Sequence, residues 1–349
     1  MEQIWWNRVP NAMRFISDIA NSLLNEQSII LQSREDIPWH DELTGTIRTA
    51  VLEKDYLRRL YMVDDVSDPG AYLLEKLKPE QRAAYRPTKS HARFFAENDD
   101  LFLHQNYVWV RAYSREQLEA WGQFVSGYIK ERERGKEKAV FLLEWVGTEN
   151  VQPQKSIRLY SLDEYICDYD RIVFCTLASS SVYEPDLLRK YLTELAVRCV
   201  GEDMELCAVC MANYTAFLKT PYAAIKEILR SGVRSDANCY RFTKTEAEIN
   251  RLTWLAQILT IYPALEEYRE SFVQKNAERI EQMLPITSAY GEVYETPSDV
   301  ELGTLKFMAD KGDLYIKQRE YDRLTLYKNA RNKLSHLTPL SIEEIRGLI

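Results

Sequence analysis

Short apolar runs alternate with segments of helical spacing over the first 180 residues, and this alternation constrains the fold more than any other feature. The runs are SIIL (28–31), LRRLYMVD (57–64), NYVWVRAY (106–113), KAVFLLEW (138–145), SIRLYSL (156–162) and DRIVFCTLA (170–178). Strands separated by helices are typical of a mostly parallel α/β sheet. The almost unbroken apolar run at 138–145 indicates a central strand covered on both faces.

Beyond about residue 185 the strand pattern gives way to helical spacing. Consecutive helices are predicted up to residue 284, and Pro263 is expected to kink or divide the longest of them. The segment 285–298 is rich in turn residues and is predicted to be a linker before three final helices. We therefore expect three parts: an α/β domain at 1–184, a helical region at 185–284, and a C-terminal helical bundle at 285–349 that also includes 246–284.

Composition restricts the classes of protein to consider. No apolar run approaches the roughly 20 residues needed to span a membrane, and the start of the chain does not resemble a secretory signal, so a cytoplasmic protein with no membrane partner is expected. The formal net charge of −8 argues against broad coating of nucleic acid. The pair Cys207 and Cys210 lacks the second pair of ligands that zinc requires, so buried, reduced thiols and no metal site are predicted.

The turn after the first run carries information about nucleotides. A working phosphate loop needs glycines and a lysine, because the backbone must approach the phosphates and their charge must be neutralised. Here QSREDIPWHDEL has neither, and its four carboxylates (Glu35, Asp36, Asp41 and Glu42) would repel phosphate. We expect no ATP hydrolysis and no cofactor. Glu144 follows an apolar run as a magnesium-binding acid would, but without a phosphate cradle a pairing role is favoured.

Three stretches carry a resemblance to a known family: NEQSIILQSREDIPWHDEL, RIVFCTLASSS and EPDLLRKYLTELAVRCVGEDMELCAVC. Over roughly residues 1–240 the pattern resembles the inactive STAND-type NTPase-like modules of bacterial conflict systems. The resemblance implies a P-loop-NTPase-like sheet with a degenerate phosphate loop. It also implies a regulatory or adaptor role in a multi-component anti-phage system, in which the partners are other proteins.

A second motif, ARNKLSH (330–336), places Arg331, Asn332 and His336 in one and a half turns of a predicted helix. This R-N-x-x-x-H pattern resembles the signature of HEPN domains. The resemblance implies a homodimer in which arginine and histidine of two protomers converge on RNA. In that interpretation the histidine handles protons and the arginine stabilises charge on the phosphate, so that cleavage needs no metal.

The geometry of this helix permits both a catalytic and a structural interpretation. Asn332 and His336 lie at i and i+4 on one face, and an apolar stripe of Leu326, Ala330, Leu334 and Leu337 is expected on another. The segment 317–333 contains six basic and two acidic residues, and this surplus of four positive charges could contact the phosphates of RNA. The structural alternative is equally specific, because basic residues and histidine favour helix C-termini, where they offset the macrodipole.

Three hypotheses of function follow. The first is a non-catalytic NTPase-like adaptor of a defence system that acts through protein contacts. The alternative is a HEPN-type metal-independent ribonuclease that uses Arg331 and His336. The third hypothesis is passive binding of RNA by the basic helix. The remaining histidines (His40, His91 and His104) are predicted to be isolated and ordinary. The pair Trp5 and Trp6 is predicted either to dock on its own domain or to form an exposed anchor for a partner.

Overall fold

The computed structural model describes residues 1–86, 88–149, 151, 156–288 and 291–349. The chain divides into two compact units, Met1–Asp170 and Arg171–Ile349.

The first unit is built on a parallel sheet, as predicted. Among the described residues the sheet has five strands in the order β2-β3-β4-β1-β5, and every neighbouring pair is parallel. The strands are β1 Ile29–Ser33, β2 Arg59–Asp64, β3 Asn106–Ala112, β4 Val140–Val146 and β5 Arg158–Ser161. The predicted central run is confirmed as β4, which lies between β3 and β1 and is buried along almost its whole length.

Helices connect these strands and cover the sheet. They are α1 Glu2–Arg8, α2 Pro10–Leu24, α3 His40–Leu52, α4 Pro69–Leu77, α5 His91–Glu97, α6 Arg115–Glu131 and α7 Leu162–Tyr165. Helix α6 begins with a capping box, in which Ser114 and Gln117 satisfy each other's backbone N–H groups. Large rings such as Trp109, Trp121 and Phe141 fill the core on and around the sheet.

The N-terminal tryptophans are part of this core. Trp5 and Trp6 are both fully buried, and Trp6 Nε1 donates to the Pro38 carbonyl at 3.0 Å and to the Trp39 carbonyl at 3.3 Å. Docking on their own domain is therefore confirmed, and the exposed-anchor hypothesis is wrong. The buried indoles hold the segment that leads into α3.

The second unit is mainly helical. Its helices are α8 Asp168–Ser179, which begins just before the unit boundary, α9 Asp186–Val200, α10 Met204–Ala212, α11 Tyr214–Lys219, α12 Pro221–Ser231, α13 Glu246–Lys275, α14 Ala277–Glu281, α15 Leu302–Lys311, α16 Gln318–Ser335 and α17 Ile342–Leu348. Helix α13 runs through Pro263 without interruption, so the proline does not divide it. Ile261 and Leu265, both fully buried, anchor the helix on either side of the proline.

Residues 170–178 form helix α8, so their assignment as a strand is wrong. The β-branched and aromatic residues of DRIVFCTLA favour a strand by composition. The buried positions of α8 are Asp170, Phe174, Cys175, Ala178 and Ser179, whose spacing places them on one face of a helix. Burial of this face, in which Cys175 contacts Cys207 of α10, therefore outweighed the local strand preference.

The turn-rich segment 285–298 contains a small antiparallel hairpin, although its residues 289–290 lie outside the described part of the chain. The strands are β6 Ile286–Thr287 and β7 Val293–Tyr294. This hairpin precedes α15 and, as shown below, contributes side chains to a cleft.

The buried face of α16 differs from the predicted apolar stripe. Leu324, Tyr327, Ala330 and Leu334 are buried, with the spacing of a single helix face, whereas Leu326 and Leu337 are exposed. The predicted stripe included Leu326 because it is apolar. In the structure Tyr327 lies in the core instead, where its hydroxyl donates to the Leu348 carbonyl at 2.6 Å.

This assignment of faces predicts different costs for two leucine truncations on the same helix. Leu334 is 0% exposed and Leu326 is 46% exposed. Leu334→Ala should lower the free energy of unfolding by about 2–5 kcal/mol, because it leaves a cavity in the core, whereas Leu326→Ala should change it by less than about 0.5 kcal/mol. Urea denaturation followed by far-ultraviolet circular dichroism measures both, and equal costs would contradict the assigned faces.

Candidate functional site

The three predicted site residues line one cleft of the second unit. The cleft has a volume of about 520 Å³ and is formed by α16, α15 and the β6–β7 hairpin. Helix α16 contributes Lys328, Arg331 and Asn332, and its C-cap residue His336 follows them. The other walls contribute Thr287, Ser288, Glu292, Tyr294, Glu301, Gly303, Thr304 and Phe307. The structure therefore brings Arg331, Asn332 and His336 together at a concave surface of ligand-binding size.

Arg331 is partly buried in this cleft and forms an ion pair with Glu301. Glu301 is the residue that precedes the first turn of α15. The guanidinium has five N–H donors in a fixed plane, so one carboxylate does not exhaust its capacity to bind an anion. An anionic ligand in the cleft would compete with Glu301 for the same group.

Asn332 and His336 are less engaged than Arg331. No hydrogen bond joins the Asn332 amide or the His336 imidazole to another side chain or carbonyl within the described ranges, and both residues line the cleft. The backbone of His336 ends the helix, since its N–H donates to the Asn332 carbonyl at 3.1 Å and Leu337 adopts the left-handed conformation with φ +59°. His336 is thus both a helix C-terminal residue and a cleft residue.

Helix α13 fixes the position of this helix end. Trp254 Nε1 donates to the Leu334 carbonyl at 2.7 Å. Fully buried Gln257 accepts from Leu340 N–H at 2.7 Å and donates to the Leu340 carbonyl at 2.9 Å. Because these bonds hold the chain on both sides of residue 336, they fix the position of the end of α16 at the cleft.

The basic surplus of α16 is partly neutralised in the structure. Lys333 pairs with Glu344 at 2.5 Å, and Arg323 lies over the rings of Tyr268 and Tyr327. Within the cleft, Lys328 and Arg331 face two carboxylates, Glu292 and Glu301. The cleft therefore has the donors for a phosphate group but is not a uniformly positive surface.

A second polar cluster lies at the carboxyl end of the sheet, the edge at which open α/β sheets bind ligands. The carboxylate of Glu144, on β4, is 2% exposed. It accepts hydrogen bonds from His40 Nε2 and from Trp109 Nε1, each at 2.8 Å, and lies 3.4 Å from Arg111 Nε. These bonds join the start of α3 to β3 and β4. The pairing role predicted for Glu144 is confirmed, and the expectation that His40 is isolated is wrong.

The segment between β1 and α3 is also held by internal hydrogen bonds. Arg34 N–H donates to Asp163 Oδ2 at 2.8 Å, and Ser33 Oγ donates to the Glu35 carbonyl at 2.6 Å. Trp39, at the N-terminus of α3, adopts the left-handed conformation with φ +46°. The Asp163 carboxylate therefore accepts a hydrogen bond from the backbone N–H of Arg34. A phosphate-binding turn would present such N–H groups to its ligand.

Cys207 and Cys210 are fully buried, as predicted. Cys207 Sγ lies 3.2 Å from Cys175 Sγ, and burial raises the pKa of the neighbouring Cys199 thiol to about 12. Thiols held in the protonated form are poor nucleophiles and poor metal ligands. Within the described ranges, no group of three or more His, Cys, Asp and Glu side chains is arranged to hold a metal ion, and no helix has the length and apolar character to cross a membrane.

The Glu144 cluster predicts a large cost for removing its carboxylate. Glu144→Ala should lower the free energy of unfolding by about 3–5 kcal/mol, because it leaves the buried donors of His40 and Trp109 without an acceptor. The control is Glu149→Ala, which removes a 61% exposed carboxylate paired with Arg115 and should cost less than about 1 kcal/mol. Urea denaturation followed by tryptophan fluorescence measures both; similar small losses would show that the cluster does not stabilise the sheet.

Comparison with known proteins gives no family for this chain. No protein-family model matches it, and no curated protein is similar to it in sequence. Conclusions about its function therefore rest on the residues and the geometry described above.

Proposed function

We propose that this protein is a non-catalytic regulatory or adaptor component of a multi-component bacterial defence system, in which an NTPase-like sheet serves as a scaffold for protein contacts. The proposal joins the resemblance to inactive STAND-type modules with the geometry of the carboxyl edge of the sheet. It treats the segment between β1 and α3 as a phosphate loop that has lost its function.

The observation that carries the proposal is the engagement of Glu144. A catalytic acid at this edge would need to reach a metal ion and a phosphate, yet this carboxylate is buried and bonded to His40 and Trp109. The backbone N–H of Arg34 donates to Asp163, so this N–H group is not available to bind a phosphate. The Glu144 carboxylate and the Arg34 amide are thus already engaged within the protein, and this favours a scaffold over a nucleotide site.

The edge of the sheet offers a surface for protein contacts. Among the strands of the described residues, β2 is the last on its side, so one row of its backbone groups faces away from the sheet. Next to it, Tyr56, Leu57 and Met62 are exposed large apolar residues. An unpaired strand edge flanked by apolar side chains is a common site for a partner protein.

Thermal unfolding with Mg-ATP tests the scaffold proposal. We expect no saturable rise in the midpoint temperature, because the carboxylates and missing glycines leave no place for a triphosphate at the sheet. The same titration of Arg331→Ala separates the two units. A rise that disappears in Arg331→Ala would place ATP in the cleft of the second unit, whereas a rise that persists in this variant would contradict the scaffold.

A second candidate function is favoured by the cleft. A metal-independent ribonuclease needs a proton-transfer group and a cation next to the same phosphate, and His336 and Arg331 line one concave surface. Lys328, one turn before Asn332, adds a second cation on the same wall. In the HEPN-like arrangement a second protomer supplies the matching residues, and Glu301 must exchange its place at Arg331 for the phosphate.

Incubation with RNA in the presence of EDTA tests this candidate. If the cleft cuts RNA, cleavage should persist in EDTA and fall by about 10²–10⁴-fold in His336→Ala, since a general acid–base contributes that much. Arg319→Ala, which removes an exposed cation of α16 outside the cleft, is the control and should cut normally. Cutting that is unaffected by His336→Ala would exclude the cleft as the active site.

A further inference from the structure

The cleft of the second unit contains an exposed aromatic ring that neither proposed function uses. Phe307, on α15, is 51% exposed and lines the cleft together with the motif residues of α16. Lys311 Nζ lies 4.4 Å from the centre of the ring. A half-exposed aromatic ring that lines a polar cleft is a candidate for ligand contact.

The remainder of the cleft has the chemistry of a phosphate and sugar site. Lys328, Arg331 and His336 supply cationic or proton-donating groups along α16, and Asn332 presents an amide with no partner among the described residues. On the other walls Thr287, Ser288 and Thr304 supply hydroxyls. One concave surface therefore offers phosphate-binding cations, hydrogen-bonding groups and an apolar ring.

We propose that the cleft binds single-stranded RNA, with a phosphate against Lys328 and Arg331 and the adjoining unpaired base stacked on Phe307. The proposal rests on the second candidate function only in its premise that RNA enters this cleft, and it requires no cleavage. Stacking on an aromatic ring is the usual way in which proteins hold unpaired bases, because every base presents a flat π face. Lys311 Nζ lies over one face of the ring, which leaves the opposite face for the base and places the ammonium to meet the next phosphate.

The pairing of a ring with cations distinguishes single strands from duplexes. In a duplex both faces of each base are already stacked inside the helix, so Phe307 could reach only the backbone and would contribute little. An acidic peptide could satisfy Lys328 and Arg331, but it would make no general use of an aromatic platform. The ring thus selects a ligand that carries both a phosphate and a free planar base.

Fluorescence anisotropy with a labelled single-stranded RNA tests the proposal. The measurements use the His336→Ala background, so that any cleavage activity does not consume the probe. Phe307→Ala should weaken binding about 5- to 150-fold, as loss of one base–aromatic stack does, whereas Phe307→Trp should retain it. Tyr315→Ala, which removes a 79% exposed ring of the same unit outside the cleft, is the control and should bind normally.

Two further measurements make the outcome decisive. Glu301→Gln should strengthen binding, because it frees Arg331 for the phosphate, and a duplex of the same sequence should show no dependence on residue 307. Equal affinity of Phe307→Ala and the parent, or preferential binding of an acidic peptide, would overturn the proposal. Binding that depends on Phe307 without any cleavage would remove the ribonuclease and leave this inference standing; cleavage that ignores Phe307 would do the reverse.

Discussion

The structure at the carboxyl edge of the sheet depends on the hydrogen bonds of one buried carboxylate, that of Glu144. It lies on the central strand β4 and accepts hydrogen bonds from His40 at the start of α3 and from Trp109 on β3. A charge removed from water must be compensated by donors, so this carboxylate stabilises the fold only while these partners stay in place. The conformation of the chain between β1 and α3 is therefore coupled to the sheet, and Trp6 reinforces it through the Pro38 carbonyl.

In the second unit, buried side chains likewise satisfy the polar backbone groups at the end of a helix. Buried Gln257 of α13 satisfies both backbone groups of Leu340, and Trp254 satisfies the Leu334 carbonyl. The end of a helix leaves carbonyl groups without intrahelical partners, and an indole N–H is well suited to one of them. Because Trp254 and Gln257 of α13 supply these donors, the His336 side chain is not needed to cap these carbonyl groups, and His336 lines the cleft.

Most of the strands and helices could be predicted from the sequence, since periodicity and capping are local. The five strands and the capping box at Ser114 are of this kind. The failures have one cause, which is that burial depends on distant residues. The segment assigned as a strand at 170–178 is a helix, whose buried Cys175 contacts Cys207 of α10, 32 positions away. The bond between His40 and Glu144 joins residues 104 positions apart. The motif Arg331, Asn332 and His336 was visible in the sequence, but the cleft was not, because two of its walls come from the hairpin and α15.

The structural and functional interpretations of ARNKLSH are compatible in this geometry. His336 ends the helix through its backbone N–H, which donates to the Asn332 carbonyl, and the same residue lines the cleft. There it lies with Arg331 and Lys328, whose cationic groups are suited to meet a phosphate. Glu301, paired with Arg331, holds the guanidinium in place while no ligand is present and offsets one of the clustered positive charges. The same arrangement that ends the helix therefore also brings the three motif residues to the cleft. In the functions that we propose, the feature that decides between packing and binding is how readily Arg331 exchanges Glu301 for a phosphate.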